Sequence, residues 1–245
     1  MPIKLMTLNI EGDRHLDRFL PVVHTINPDV ICLQEVFEVN LERIATELQM
    51  TTVKFVPTVI AQQKNQYHIS PLGNWGVAIM TKLAVTDWQV ERYSGFRDLK
   101  VFQLPNDDVR TIIIGHFSDG AAEYRIATTH FTWTPDGEVT DAQRQDFDRL
   151  KPILQRYPEL ILCGDFNSPR SKEMFGLFET LFKDNLPSEV MTTIDSSLHY
   201  AGHLNLQLVV DTIFSTPEYK VTDVQVVSGL SDHKGIVGMV ERVVG

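Results

Sequence analysis

An apolar run at residues 160–163 ends in Gly164 and then presents Asp165 and Asn167 on either side of Phe166. Strand side chains alternate between faces, so the acid and the amide point one way while the phenylalanine anchors the other. Gly, Asp, Asn and Ser also build Asx turns, and in isolation the stretch reads as one. Similar endings recur along the chain. Residues 3–10 carry Asn9, residues 30–36 deliver Glu35 and residues 124–130 end on His130. Residues 208–214 hold Asp211 in their middle, and a tight loop at 229–233 offers Asp232 and His233 side by side. Hard cations such as Mg²⁺ take oxygen ligands, commonly one or two carboxylates plus water and a substrate phosphate. Glu35 is the leading candidate ligand, with Asn9 or Asp232 adjacent. An imidazole serves as base or donor near neutral pH, and a carboxylate on its second nitrogen fixes its tautomer. Asp211 beside His233 supplies that pairing. The other six histidines, His15, His24, His68, His116, His199 and His203, read as structural or surface residues.

These groups meet only if the elements carrying them stack end on end. Strands are expected at about 3–10, 30–36, 52–57, from 76, and at 85–92, 110–116, 124–130, 159–165, 208–214, 221–227 and 236–243, from short apolar runs bounded by turn residues. A helix from Asp13, capped by it, buries Leu16, Phe19, Leu20 and Val23, with Pro21 in its first turn or kinking it. A second is expected over 38–48. Thr140 opens a third, where Gln143 completes a capping box and Pro152 bends the axis. A short helix follows at 173–182. Residues 62–74 and 186–207 are loops. Two packed sheets with converging strand ends satisfy this pattern.

With 245 residues, 43% of them hydrophobic and 22% charged, the chain can form a single domain over 1–245 with a sizeable core. No repeat or flexible linker divides it. The 32 acids outweigh 22 Lys plus Arg, for a net charge of -10. Non-specific binding to long nucleic acids needs clustered positive charge, so the balance speaks against an extended DNA track, though not against a small phosphate ester. Cys32 and Cys163 sit inside apolar runs and pack as small hydrophobes. No signal segment, no membrane span and no protein partner is evident, and the expected setting is cytoplasmic.

In the order L-N, L-Q-E-V, T-H-F, G-D-F-N-S, V-D-T-I-F and S-D-H, from Leu8 to His233, the chain resembles the endonuclease/exonuclease/phosphatase superfamily with its deoxyribonuclease I-like fold. The resemblance implies an α/β fold: a four-layered α/β/β/α sandwich of two mostly antiparallel sheets packed face to face, with helices outside. It implies a Mg²⁺- or Mn²⁺-dependent phosphoric ester hydrolase. By motif, Glu35 would hold the metal, with Asn9 close and Asp232 sharing it or orienting the site. Asp165 would position or deprotonate the attacking water, and Asn167 and His130 would stabilise phosphate oxygens. His233, oriented by Asp211, completes the acid/base set, and the base is Asp165 or His233. Thr212 after Asp211 departs from the nucleolytic members, as does the lack of basic, aromatic-interleaved loops. The expected substrate is a phosphodiester, either nucleic acid or a small or lipid-derived ester. A sugar- or inositol-phosphate monoesterase and a non-catalytic binding protein are the alternatives. Asn74, Trp75, Trp133 and Arg170, with Tyr67 and His68, are the expected substrate contacts.

Overall fold

The structure, a computed structural model, describes residues 2–95 and 98–243. One six-stranded sheet contains β1 (Ile3–Asn9), β2 (Val30–Phe37), β3 (Thr52–Ala61), β4 (Gly73–Thr81), β11 (Tyr219–Val227) and β12 (Gly235–Arg242), in the order β11-β12-β1-β2-β4-β3. The second contains β5 (Ala84–Ser94), β6 (Arg110–Ser118), β7 (Glu123–His130), β8 (Ile161–Asp165), β9 (Lys183–Asp184) and β10 (Asp211–Ser215), in the order β5-β6-β7-β8-β10-β9. Pairing is antiparallel except for one central parallel pair in each sheet, β1 with β2 and β7 with β8. The C-terminal ends of a parallel pair lie at the same edge, which brings Asn9 near Glu35 and His130 beside Asp165.

Alternation decides the layering. In β1, Ile3 and Leu5 face the other sheet, whereas Met6 and Leu8 face a helical layer. In β8, Ile161 and Cys163 face inward and Leu162 outward. Cys32 joins Cys163 in the inner core, and both are buried free thiols. Helix α1 (Leu16–Ile26) and helix α2 (Leu41–Glu47) cover the first sheet, burying Phe19, Leu20, Val23 and Ile44. Helix α3 (Asp141–Leu154) and helix α4 (Glu173–Glu179) cover the second, where Phe147, Leu150, Phe175 and Phe178 meet Leu162 and Phe214. The four layers are therefore helix, sheet, sheet, helix, each large apolar side chain contributing roughly 1.5–3 kcal/mol on burial.

Four local expectations need correction. Helix α1 starts at Leu16 with His15 before it, so Asp13 does not cap it, and Pro21 lies in its interior. Strands β3 and β4 run longer than 52–57 and start earlier than 76, because they pair through a bulge between Pro57 and Val59. Asp211 opens β10 rather than sitting in its middle. Thr140 does cap α3 through Gln143 N–H, but the Gln143 side chain turns away to Thr132 O, Asn167 O and Ser168 Oγ. The capping box is thus half formed, and its glutamine instead fastens the loop after β8.

Candidate active site

Inward-facing positions at one end of the sandwich carry the polar set. Asn9 ends β1, His130 ends β7, Asp165 ends β8 and Asp211 begins β10. Asp165 is the cross-strand partner of both His130 and Asp211. Gly164 just before it, at φ +144°, lies so close to the Thr129 carbonyl that a β-carbon there would overlap it. Phe166 turns outward onto Phe178 and Phe214, with ring centroids 4.9 and 5.0 Å away, each such pair contributing about 0.5–1.5 kcal/mol beyond burial.

Simple alternation does not aim Glu35. Gln34 faces inward, donating to Thr128 Oγ1 of the opposite sheet at 2.9 Å, so Glu35 on a regular strand would face the helices. A bulge between Leu33 and Val36, with Glu35 at φ +56°, rotates the carboxylate back toward the site. There its Oε1 accepts from Asn9 Nδ2 at 3.1 Å. The chain also leaves β8 at Asp165. What orders Asp165 against Asn167 is the Asx turn, in which Asn167 N–H donates to Asp165 Oδ1 at 2.8 Å, with Asn167 at φ +48°. Turn and site are one structure.

Asp165 Oδ2 accepts from Asn9 Nδ2 at 3.1 Å and lies 3.5 Å from His130 Nε2 and 3.8 Å from His233 Nε2. His130 Nε2 is 3.8 Å from Glu35 Oε1. His233 Nδ1 bonds Asp211 Oδ2 at 2.9 Å, and Asp211 is steadied by its N–H on Thr193 Oγ1 at 3.2 Å. Ser231 Oγ donates to Asp232 Oδ1 at 3.0 Å. Asn167 Nδ2 donates to Phe131 O at 3.0 Å, which leaves its second N–H for a ligand. Asp165 is almost inaccessible, whereas the Glu35 side chain is 20% exposed, so a substrate reaches the site from the Glu35 side.

The electrostatics follow from crowded acids. Burial and the Asp232 carboxylate push Glu35 up to about 8. Burial pushes His130 down, against the pull of Asp165. Burial also depresses His233, but Asp211, Asp165 and Asp232 together outweigh it and hold the imidazole well above its ordinary value. Glu11 escaped notice in the sequence because no motif contains it. Burial and Asp232 raise it too, and it bonds Arg14 and His15. His15, read from sequence as a structural or surface residue, thus bonds an acid that interacts with Asp232 and stands at the rim. So does His199, which interacts electrostatically with Asp232 and His233.

Among the described residues, one set of three donors is compact enough for a divalent cation. Asp165, Asp211 and His233 are buried, with one ligand atom from each lying within 4.8 Å of the others, although His233 Nδ1 is already committed to Asp211. Glu35 and Asp232, the expected oxygen ligands, interact electrostatically, and burial first and then the Asp232 carboxylate raise Glu35. Asn9, expected beside the metal, offers its NH₂ to Glu35 and Asp165 while its Oδ1 accepts from Glu11 N–H at 3.1 Å. In this arrangement it orients carboxylates.

The expected substrate contacts divide. Trp133 is 40% exposed, its backbone held by the Asn106 side chain. Asn74 Nδ2 donates to Glu38 Oε2 at 2.7 Å. Trp75 packs against Phe37 and Phe102. Arg170 clamps Asp184 and the carbonyls of Leu186 and Pro187. Tyr67 meets Phe102 edge-on, and the carbonyls of Tyr67 and His68 accept from Arg14.

The sequence profile of the Endonuclease/Exonuclease/phosphatase family matches residues 6–233, a span that holds every one of these groups. The chain belongs to this family. Members are phosphoester hydrolases, typically dependent on a divalent metal, and the two-sheet sandwich is their deoxyribonuclease I-like fold. A family protein from Leptotrichia buccalis is similar in structure at TM-score 0.74 and 19% identity, over 98% of this chain and 99% of that one. The human Nocturnin catalytic domain with bound sulfate gives 0.70 and 19%, over 99% and 94%. A mannosyl-6-phosphatase from Bacteroides thetaiotaomicron gives 0.65 and 14%, over 99% and 100%. A search of curated protein sequences returned no match. Among the described residues no helix is long and apolar enough to cross a membrane.

Proposed function

We propose that this family member is a Mg²⁺- or Mn²⁺-dependent phosphodiester hydrolase acting by in-line attack of water. The observation that carries the reading is the joining of Asn9, Glu35, Asp165 and the Asp211–His233 pair across both sheets. A non-catalytic binding protein has no need of so many buried, mutually constrained ionisable groups.

Glu35, with Asp232, would hold the cation, which when bound polarises a phosphoryl oxygen. Asp165, with Oδ1 held by Asn167 N–H and Oδ2 by Asn9 Nδ2, would take a proton from water at Oδ2, the oxygen that also faces His130 and His233. His233 is held protonated by the acids around it and acts as a donor to the developing phosphoryl charge, with Asp211 fixing its orientation. That choice makes Asp165 the base. His130, lowered by burial, is a neutral donor, and the second N–H of Asn167 is another.

Initial rates on bis-p-nitrophenyl phosphate and p-nitrophenyl phosphate, each with Mg²⁺, Mn²⁺ or chelator, test the assignment. Metal-dependent hydrolysis of the diester at a rate well above the monoester is the expected result. The reverse preference makes the protein a monoesterase, and no turnover of either contradicts the reading.

A further inference from the structure

The loop between β9 and β10 passes directly over the Asp232–His233 turn. Asp195 N–H donates to Asp232 O at 2.7 Å, Lys234 N–H to Thr193 O at 2.7 Å, and Gly229 N–H to Asp195 Oδ2 at 2.6 Å. The loop is thus pinned on both sides of the two site residues. One turn further, His199 N–H donates to Asp195 O at 2.9 Å. His199 Nδ1 accepts from Ala201 N–H at 3.0 Å, which leaves the ring's proton on Nε2. The Tyr200 ring lies 4.5 Å from the His199 ring at 34°, yet Tyr200 is 82% exposed.

An exposed aromatic is ordinary when it sits alone on a mobile surface. This one is backed by an imidazole that interacts electrostatically with Asp232 and His233, and it is carried on a loop fastened to the site. We propose, on the phosphodiesterase reading above, that Tyr200 is a stacking subsite for the nucleobase of a small nucleotide-derived phosphodiester, with His199 positioning the ring. Every base offers a flat face, and one ring suffices for one base. Size follows from charge. Residues 190–207 contain neither Lys nor Arg, and the chain carries a net charge of -10, so nothing there tracks the phosphates of a long strand.

Methyl p-nitrophenyl phosphate and thymidine 5′-(p-nitrophenyl phosphate) share a leaving group and differ by a nucleoside, which makes them the probes. With Mg²⁺, wild type is expected to favour the thymidine ester about tenfold in kcat/KM, within the range of a single stacked base. Tyr200→Ala removes that preference and Tyr200→Phe keeps it. His199→Ala raises KM for the thymidine ester and leaves kcat within about twofold. Equal kcat/KM for both esters in wild type, or a preference that survives Tyr200→Ala, overturns the subsite. Hydrolysis of neither ester by wild type overturns the phosphodiesterase reading on which it rests.

Discussion

Asn9 Nδ2 lies 3.1 Å from Asp165 Oδ2, and that hydrogen bond crosses from one sheet to the other at the open end of the sandwich. The same nitrogen reaches Glu35 Oε1 at 3.1 Å. One amide thereby sets the spacing between the residue assigned to the cation and the residue assigned to water. Asn9→Ala is expected to lower kcat by roughly tenfold to a hundredfold, with stability reduced by about 1–3 kcal/mol from two lost bonds to charged groups. Steady-state kinetics and urea unfolding check both numbers. Unchanged kcat would remove Asn9 from the machinery.

Glu35 gives the protein a pH-dependent weakness when no metal is bound. Its folded value of about 8 lies above the ordinary 4.5, so the folded state holds its proton longer than the unfolded chain does. Stability from this group is full below about 4.5 and is lost as pH rises through 8. A divalent cation relieves the repulsion and replaces the proton. Thermal unfolding should therefore show a Mg²⁺-induced gain in Tm that grows from pH 6 to pH 9, and Glu35→Gln should raise the metal-free Tm at pH 9 while abolishing the gain. A gain independent of pH in wild type contradicts the placement of Glu35.

Asp211 is the neighbour that most strongly opposes the effect of burial on His233. A raised imidazole stabilises the fold below its ordinary value of 6.5 and loses that contribution as pH climbs through the folded one. Asp211→Asn should shift His233 titration downward, seen in the imidazole NMR signals, and lower kcat by roughly 10²–10⁴, the usual effect of losing an acid/base partner. An unshifted His233 in this variant shows that the pair does not set its charge.

Gly164 makes a prediction about folding. A β-carbon at this position, with φ +144°, meets the Thr129 carbonyl of the neighbouring parallel strand. Gly164→Ala should cost about 1–3 kcal/mol by overpacking and left-handed strain, measured by urea unfolding. Wild-type stability in Gly164→Ala would mean the two strands can separate without loss.

Much of this was legible because the site residues end apolar runs. Asn9, Glu35, His130 and Asp165 each close a stretch whose period is readable, and strand ends at one edge converge once two sheets are packed. Other features depended on geometry that a sequence does not display. The bulge that re-aims Glu35 leaves no signature in L-Q-E-V, since the glutamate occupies the left-handed position that glycine would advertise. Gln143 fits a capping box, yet tertiary contacts with Thr132 and Ser168 claim its side chain. Trp75 and Arg170, expected to contact substrate, also have structural partners that no motif signals, Phe37 for the indole and Asp184 for the guanidinium. Glu11 and His199 belong to no motif, and only the folding of two loops onto Asp232 brings them near the site.

Metal-dependent hydrolysis of bis-p-nitrophenyl phosphate by wild type, Glu35→Gln and Asp165→Asn, all confirmed folded by circular dichroism, tests the central claim most directly. Wild type should turn over the ester with Mg²⁺ or Mn²⁺ and stop with chelator, and each variant should lose roughly a hundredfold or more in kcat. Turnover that resists chelator, or that survives both substitutions at the wild-type rate, would contradict a phosphoesterase centre built on these two carboxylates.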